Sequence, residues 1–455
     1  MPSRKASFKH RFSFYLLAIG SACGLGNLWR FPYIVGENGG GAFLLLYVFL
    51  ALTIGLALLI SELMIGRFTG TSILAATRNI STKAKNKYYI LGWFSLFLSA
   101  VTLSYYSVIS GWVLHYLTQF IMSLFQADSG FYLKSISVNI LLQNSWLQFM
   151  LASVHLLVAV IIVVKGFGEG VEKRISSLLP FFGLLVVILL VGSLSLDSTH
   201  EVLRFLFYPD FSKLSLASLG HAVGHVFFTL SLGFGTMVTF GSYFKHDDHL
   251  PTIGLRVTLV DTLISIIAVL LIFPIAFSSS KQIATDPSLV FDVLPAFLSS
   301  IKGGILFGLI FFLFLWLAAL NASIGLLETI TANLTEKRPD MKRPLAATLS
   351  VIAILLMTVF PAFSGTIFKN IKILGRTVIE IFDSTLINVM LPIAVLGMVI
   401  IFFKILSPND RKKLFINDEL PTSRAMYLHW VFFLKWVVPV VVISGLLMLF
   451  LGIFV

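Results

Sequence analysis

Polar and flexible residues interrupt the first long apolar run of the chain, where a membrane-crossing helix would otherwise be expected. The stretch GSACGLGNLWRFPY, residues 20–33, contains three glycines, the polar Ser21 and Asn27, and the charged Arg30. An unwound turn at this depth would leave backbone carbonyls and amides that lipid cannot hydrogen-bond. Such groups can coordinate a cation, or receive a carboxylate at the positive N-terminus of the half-helix that follows. The stretch therefore predicts a ligand site that uses backbone as well as side chains.

A second apolar run is interrupted in the same way, five spans later in the chain. Its residues 227–235, FFTLSLGFG, again place Ser, Thr and Gly where a continuous helix is expected. Paired interruptions at corresponding positions of two halves indicate a transporter site formed by broken helices in inverted repeats. The alternative is that the glycines only permit close helix packing. Two matched interruptions favour the broken helices.

The elements that must position these residues are membrane helices. The chain has 455 residues, of which 57% are hydrophobic and 12% charged, and its mean hydropathy is +0.95. A bilayer core of about 30 Å requires about 20 apolar residues per helix, whereas barrel strands would alternate with period two. We predict an all-α polytopic membrane protein with eleven spans, at about 13–36, 42–66, 88–124, 146–164, 172–195, 218–241, 255–277, 303–334, 344–362, 375–404 and 430–454.

The net charge of +12 is distributed unequally between the loops on the two sides of the predicted membrane topology. Alternating assignment of the loops places 23 Lys and Arg residues on the N-terminal side and nine on the opposite side, with Lys435 at the start of the last span. This excess is typical of cytoplasmic loops, so we expect a multi-pass protein of the bacterial inner (plasma) membrane with a cytoplasmic N-terminus. Nucleic-acid binding is not needed to explain the charge. Because Cys23 is the only cysteine, an intrachain disulfide is excluded.

A series of motifs along the chain resembles the neurotransmitter:sodium symporter family, whose best-known fold representative is the bacterial leucine transporter. After residues 20–33 the series continues with ENGGGAFLLLY (37–47), SELMIGR (61–67), YYSVISGW (105–112), KGFGEGVEK (165–173), FFTLSLGFGTMVTFGSY (227–243), ALNASIGLLE (319–328) and FDSTLINVMLP (382–392). The resemblance implies one transporter domain over 1–455. Within it we expect inverted five-helix repeats at about 13–195 and 218–404, with broken first and sixth helices, and an extra helix at about 430–454.

The resemblance also implies bound sodium, one or two ions, and no organic cofactor. The first sodium site would use the Ala22 carbonyl, Asn27, Thr229 and Asp261. The family more often has Asn at position 261, beside a chloride ligand in its animal members, so the carboxylate predicts chloride-independent transport. The second site would use carbonyls of Gly20, Cys23 and Ala318 together with Asn321. Ala322 offers no oxygen where a hydroxyl or acidic residue is usual, which predicts weaker sodium binding or a changed stoichiometry, unless Ser323 or water fills the gap.

The same resemblance implies an amino acid as the substrate. Its carboxylate would lie on the amides of Leu25 and Gly26 and receive a hydrogen bond from Tyr106. Gly24 stands where monoamine-selective relatives carry an acidic residue, which argues against a monoamine. The remaining contacts are apolar with a few hydroxyls, so a neutral and hydrophobic side chain fits best. These residues are Ser21, Ala22, Thr102, Phe228, Thr229, Ser231, Phe234, Ala322 and Leu326.

Gates are implied on both sides of this site. Arg30 and Asp383 match the charged pair that narrows the outer entrance in the family. The inner gate would comprise Lys5, Phe8, Tyr243 and Glu336. His225 replaces the usual glutamine one turn before the broken segment, and a histidine there can titrate near neutral pH. It suggests pH-sensitive or partly proton-linked uptake, although a neutral, hydrogen-bonded histidine is an equally good interpretation.

The sequence thus predicts a sodium-coupled symporter for a neutral amino acid, held in a lipid bilayer. A proton-coupled variant and a non-transporting amino-acid sensor of the same fold are the alternatives. An enzyme is disfavoured, because no nucleophile–base pair or metal-ligand cluster converges on the spans.

Overall fold

The computed structural model describes residues 24–81, 87–126, 137–166, 173–244, 248–280, 289–373, 375–416 and 423–453, with backbone only at 79–81, 173–183, 279–280 and 452–453. Within these ranges the regular structure is helical, apart from one isolated bridge between Ile373 and Arg376. This is the outcome expected when long apolar segments must satisfy their own backbone hydrogen bonds in lipid. The all-α prediction is confirmed.

Eight helices of the described part are long and apolar enough to cross a bilayer. They coincide with the second, third, fourth, seventh, eighth, ninth, tenth and eleventh predicted spans. Their bounds are Gly41–Thr69, Lys87–Ser123, Ser145–Val164, Leu250–Ser278, Gly304–Lys337, Arg343–Ala362, Val378–Ile405 and Ser423–Leu451. The helix of the seventh span continues to Ser280 and that of the eleventh to Ile453.

The remaining predicted spans, the first, fifth and sixth, are also helical in the described ranges; the fifth is one helix and the sixth is divided in two. The first comprises a π-helical turn, Gly26–Arg30, that continues into Phe31–Glu37. The fifth is Lys173–Leu194, after which the chain bends by 104° into the helix Thr199–Phe207. The sixth is divided into two helices, which are Leu216–Thr229 and Thr236–Gly241.

Shorter helices connect the spans. They are Ile73–Ser81, Val138–Leu142, Thr199–Phe207, the 3-10 turn Phe211–Lys213, the π-helical turn Leu289–Val293 continuing into Leu294–Ser300, and Pro408–Phe415. The stretch SLVFDVLPAFLSSI, residues 288–301, predicts a short helix that does not span, and Leu289–Ser300 confirms the helix. Ser218, at the start of the sixth span, donates to Asn38 Oδ1 over 2.6 Å, which ties this start to the end of the first span.

Two glycines bring the second span into backbone contact with the second half of the sixth. A Cβ on Gly66 would lie 1.9 Å from the Val238 carbonyl oxygen, and one on Gly241 would lie 2.4 Å from the Leu63 carbonyl oxygen. No larger side chain fits at either position. This close packing fixes Thr236–Gly241 against the second span, immediately after the break in the sixth span.

Candidate functional site

The break in the sixth span is a left-handed turn of the backbone. Between Thr229 and Thr236 the chain leaves the helix, and Ser231, Gly233 and Gly235 adopt φ values of +53°, +79° and +77°. Glycine enters this region without strain, whereas serine does so rarely. The glycines of the sequence motif therefore mark the positions where the helix stops and restarts.

Neighbouring spans satisfy the backbone groups that the break exposes. The Gly233 amide donates to Glu62 Oε1 over 2.7 Å, and the Ser99 hydroxyl donates to the Phe234 carbonyl over 2.8 Å. Glu62 is fully buried in the second span and Ser99 in the third. Each unmet backbone group would otherwise cost several kcal/mol, roughly, in the membrane interior. The break is thus supported by two other helices.

A cavity lies between this break and the start of the first half-helix. It is narrow, since the centre of a water molecule has only about 20 Å³ in which to move. Its lining contains every described residue that the sequence predicts for the substrate pocket, apart from Leu25. The lining residues are Gly24, Gly26, Asn27, Thr102, Tyr106, Phe228, Thr229, Ser231, Phe234, Ala322 and Leu326. Ser21 and Ala22 lie outside the described residues.

One end of the cavity is formed by the amide end of the first half-helix. The Leu25 amide donates to the Tyr106 hydroxyl oxygen over 2.7 Å. A Cβ on Gly24 would lie 2.6 Å from that hydroxyl oxygen, and one on Gly26 would lie 2.8 Å from Cε1 of Phe228. Both glycines are therefore required for the close approach of the first span. The positive end of a half-helix at this place suits a carboxylate.

Asp261 lies at the centre of a buried polar cluster beside the cavity. Its Oδ1 accepts from Asn27 Nδ2 over 2.7 Å, and its Oδ2 accepts from the hydroxyls of Tyr47 and Thr229 over 3.0 and 3.2 Å. Ser265, one turn further along the seventh span, accepts from Asn27 Nδ2 over 2.9 Å. In the described part of the chain, Asp261 forms no ion pair with Lys, Arg or His.

The cluster has the oxygen atoms that a hard cation prefers. Asn27 is fully buried, and its Oδ1 has no hydrogen-bond partner although its amide nitrogen donates to Asp261. A buried polar atom without a partner is rare and requires an explanation. Together with the Asp261 carboxylate and the Thr229 hydroxyl, it supplies a negatively charged oxygen set that fits a sodium ion. The fourth predicted ligand, Ala22, lies outside the described residues.

Of the second predicted cation site, only the residues on the eighth span lie within the described ranges. Ala318 and Asn321 are buried there, and Asn321 Oδ1 has no hydrogen-bond partner. Ser323 Oγ lies 2.8 Å from Nε2 of His155 in the fourth span, so this hydroxyl is engaged away from the position that Ala322 leaves without an oxygen. Gly20 and Cys23 lie outside the described residues.

Arg30 and Asp383 form the ion pair that the sequence predicts at the outer entrance. Arg30 Nε lies 3.2 Å from Asp383 Oδ1. The hydroxyl of Tyr105 donates to the same oxygen over 2.6 Å. Sequence reasoning missed the contact of Tyr105. Tyr105 directly precedes Tyr106, and because consecutive helical residues point in different directions, a Tyr106 in the cavity places Tyr105 on another face of the helix. Tyr106 reaches the cavity and Tyr105 the gate.

His225 contacts Arg30 on one side and Tyr47 of the Asp261 cluster on the other. Its Nδ1 lies 3.3 Å from Nη1 of Arg30, and its ring stacks on Phe31 with centroids 4.9 Å apart. The Tyr47 ring centroid is 5.5 Å away. A protonated imidazole would place a second positive charge against the guanidinium, so this contact requires a neutral ring that accepts from Arg30.

A second charged network closes the opposite end of the bundle. Glu328 of the eighth span accepts from the Tyr243 hydroxyl over 2.9 Å and pairs with Arg343 at the start of the ninth span. Glu336 accepts from the backbone amide and the hydroxyl of Ser72, both over 2.8 Å. Sequence reasoning named Tyr243 and Glu336 but missed the Glu328–Arg343 pair. Lys5 and Phe8 lie outside the described residues.

A helical membrane protein with a central cavity at broken helices, and charged networks toward both ends, has the architecture of a secondary transporter. The family model for the sodium:neurotransmitter symporter family matches residues 5–128 and 131–453. The chain belongs to this family.

Similar proteins agree with this assignment. The chain is 31% identical over 449 residues to an uncharacterized sodium-dependent transporter of Haemophilus influenzae, covering 97% of each chain. It is 30% identical over 437 residues to the uncharacterized sodium-dependent transporter YhdH of Bacillus subtilis, covering 95% of each. The crystal structure of MhsT in complex with L-phenylalanine matches with a TM-score of 0.87 at 30% identity, covering 98% of this chain and 100% of that one. The predicted fold, with inverted repeats and broken first and sixth helices, is confirmed.

Proposed function

We propose that this protein couples sodium entry to the uptake of a neutral, hydrophobic amino acid. The observation that carries the proposal is the pairing of Asn27 and Asp261 beside the cavity. An unpartnered Asn27 oxygen and a buried carboxylate together form a cation site, and the same half-helix presents its amide end to the cavity. A cation and an amino-acid carboxylate would therefore bind as neighbours, which links the two transport events.

The cavity supports an amino acid with an uncharged side chain. No Lys, Arg, Asp or Glu side chain lines it in the described part of the chain. The walls are formed by Phe228, Phe234, Leu326 and Ala322, with hydroxyls from Thr102 and Ser231. A charged side chain would lack a partner there, and an unpaired buried charge is costly. The bound L-phenylalanine of the similar MhsT structure supports the same class of substrate.

Substrate binding would use the backbone at the start of the first half-helix. The amides of Leu25 and Gly26 would receive the carboxylate at the positive end of the half-helix, the Leu25 amide exchanging its bond to Tyr106 for one to the substrate. Tyr106 accepts from the Leu25 amide through its oxygen, which leaves its own hydroxyl hydrogen available for the substrate. Asn27, Thr229 and Asp261 would hold one sodium ion, with the Ala22 carbonyl as a further ligand. Ala318 and Asn321, with the carbonyls of Gly20 and Cys23, would hold a second and weaker ion.

Chloride independence is part of the proposal. The Asp261 side chain accepts from the hydroxyls of Tyr47 and Thr229, and its ionised form would supply a fixed negative charge. These hydroxyls are groups that could otherwise hold an anion next to the cation. A chloride ion at this position would meet the carboxylate at close range, and like charges in a low-dielectric interior repel strongly. The protein therefore supplies its own counter-charge for sodium.

Alternating access would open the cavity to one side of the membrane at a time. Arg30 and Asp383 would control the outer entrance. Tyr243 and Glu336, with Lys5 and Phe8, would control the inner one. The excess of Lys and Arg on the loops of the N-terminal side supports a cytoplasmic N-terminus in a bacterial plasma membrane.

Uptake of labelled neutral amino acids into proteoliposomes tests this proposal. We expect accumulation that requires an inward sodium gradient and is unchanged when gluconate replaces chloride. A proton gradient alone is expected to drive no uptake, because the Arg30 contact holds His225 neutral. Accumulation under a proton gradient without sodium would overturn sodium coupling. Saturable binding without accumulation under any gradient would indicate a sensor instead.

A further inference from the structure

One hydroxyl in the cavity has no hydrogen-bond partner. Thr102 is 2% exposed and lines the cavity, yet its Oγ1 makes no hydrogen bond in the structure. Ser and Thr side chains inside helices commonly donate to the carbonyl one turn earlier. The neighbouring Ser99 does so to Ser95 over 3.0 Å, and Ser110 does so to Tyr106 over 2.7 Å. Thr102 differs from both, although it lies in the same helix.

The position of Thr102 indicates which part of a substrate it would meet. Tyr106 marks the carboxylate end of the cavity through its contact with the Leu25 amide. Thr102 lies four residues before Tyr106 in the same helix, which is about 6 Å along the axis. A group on the substrate that reaches Thr102 therefore belongs to its side chain, several bonds beyond the α-carbon.

The walls between these two positions are aromatic. The ring centroids of Tyr106 and Phe228 are 6.4 Å apart, and those of Phe228 and Phe234 are 6.5 Å apart at an interplanar angle of 70°. Such edge-to-face spacing is favourable between aromatic rings. An aromatic substrate side chain would meet these rings as it entered the cavity, with Thr102 available to a polar atom on the side chain.

We propose that Thr102 forms a hydrogen bond with a polar group on the substrate's aromatic side chain, and that the protein therefore prefers tyrosine or tryptophan to phenylalanine. This inference rests on the proposed amino-acid binding in the same cavity and specifies its substrate class. The Thr102 hydroxyl can donate to and accept from a phenol hydroxyl, and can accept from an indole N–H. Phenylalanine would leave the Thr102 hydroxyl without a partner.

Competition binding on the full-length protein tests the inference. Sodium-dependent binding of labelled L-phenylalanine is displaced by unlabelled L-tyrosine or L-phenylalanine, which differ by one hydroxyl. We expect tyrosine to bind about threefold to tenfold more tightly, the range of one neutral hydrogen bond. Thr102→Val keeps the shape and removes the hydroxyl, so the ratio of the tyrosine affinity to the phenylalanine affinity should fall to about one, whatever the absolute affinities become. Thr102→Ser should retain the preference.

Thr331→Val is the matched control. Thr331 is also fully buried with an unpartnered hydroxyl, but it does not line the cavity, so its loss should leave the tyrosine preference unchanged. Equal affinities in the unchanged protein, or a preference that survives Thr102→Val, would overturn the role of Thr102 while amino-acid transport stands. If no amino acid of a full neutral panel binds in sodium, the proposed function fails as well.

Discussion

Asn27 donates its amide nitrogen to the Asp261 carboxylate over 2.7 Å, which leaves the Asn27 oxygen buried and without a partner. The two residues are 234 positions apart in the chain, on the first and seventh spans. Each positions the other: the carboxylate orients the amide, and the amide presents its oxygen together with the carboxylate charge. A cation bound there would join the two spans.

Replacing Asp261 by Asn should make transport depend on chloride. The three donors Asn27, Tyr47 and Thr229 would have one acceptor oxygen in place of two, and the site would lose its negative charge. We expect uptake by Asp261→Asn to fall at least about tenfold when gluconate replaces chloride, since an uncompensated buried charge costs roughly 2 kcal/mol or more. Uptake by the unchanged protein should not respond. Asp340→Asn, an exposed loop carboxylate, is the control; a chloride-insensitive Asp261→Asn variant would contradict the assignment.

Adding a hydroxyl at position 322 should strengthen sodium binding. Ala322 lies beside Asn321, whose side-chain oxygen has no partner, and offers no ligand of its own. The variant Ala322→Ser would add an oxygen to the proposed second site. We expect the sodium concentration for half-maximal uptake to fall about threefold to tenfold, by the contribution of one added polar contact. Ala332→Ser, on the same helix but outside the cavity lining, should not change it.

A methyl group on Gly24 should block the cavity. Its Cβ would lie 2.6 Å from the Tyr106 hydroxyl oxygen and 3.1 Å from Cβ of Ala322. Tyr106 would have to leave the Leu25 amide, so Gly24→Ala should weaken amino-acid binding by about tenfold or more, in line with overpacking costs of roughly 1–3 kcal/mol. Gly445→Ala is the control, because its nearest neighbour would be 3.5 Å away. Isothermal titration of detergent-solubilised protein measures both; equal affinities would show that Tyr106 adapts.

Removing the Tyr105 hydroxyl should loosen the proposed outer gate. Asp383 would keep Arg30 but lose the 2.6 Å hydrogen bond from Tyr105. We expect Tyr105→Phe to lower the maximal rate of uptake about threefold to tenfold, since a hydrogen bond to a charged group contributes roughly 1.5 kcal/mol or more. Equilibrium binding of the substrate should change less. Tyr89→Phe, outside the gate, serves as the comparison; a change in binding alone would place Tyr105 in the substrate site.

Neutralising Glu328 should loosen the charged network with Tyr243 and Arg343, at the end of the bundle opposite the Arg30–Asp383 pair. Glu328→Gln would leave Arg343 without its ion-pair partner while keeping a contact for Tyr243. Breaking a buried pair on one side costs about 3–5 kcal/mol, so we expect faster hydrogen exchange in Thr236–Gly241 and the start of the ninth span. The double change Glu328→Gln with Arg343→Met removes the unpaired charge and should restore much of the protection. Unchanged exchange in the single variant would exclude a gating role.

The sequence predicts the membrane helices and the cavity lining because both follow from local patterns. Apolar runs interrupted by Gly233 and Gly235 locate the break, and motif positions locate Thr229 and Phe234 around it. These features depend on residues close together in the chain. Glu62, within the motif at 61–67, lies next to this break and accepts from the Gly233 amide.

The contacts between distant helices were not predictable in the same way. Tyr105 and Tyr106 are adjacent in sequence, and only the rotation of the third span about its axis sends one to Asp383 and the other to the Leu25 amide. Glu328 and Arg343 meet across a turn between two spans. An apolar pattern gives the buried face of a helix, but not which polar group on another helix lies opposite it.

The backbone contact between the second span and Thr236–Gly241 limits how this protein can move. Gly66 and Gly241 leave no layer of side chains between the two helices, and such a layer is what allows packed helices to slide by small repacking steps. We therefore expect the two segments to travel as one rigid body in the proposed transport cycle. Glu62 would move with them and keep its hydrogen bond to the Gly233 amide. The break in the sixth span would thus stay attached to the second span while the two move together.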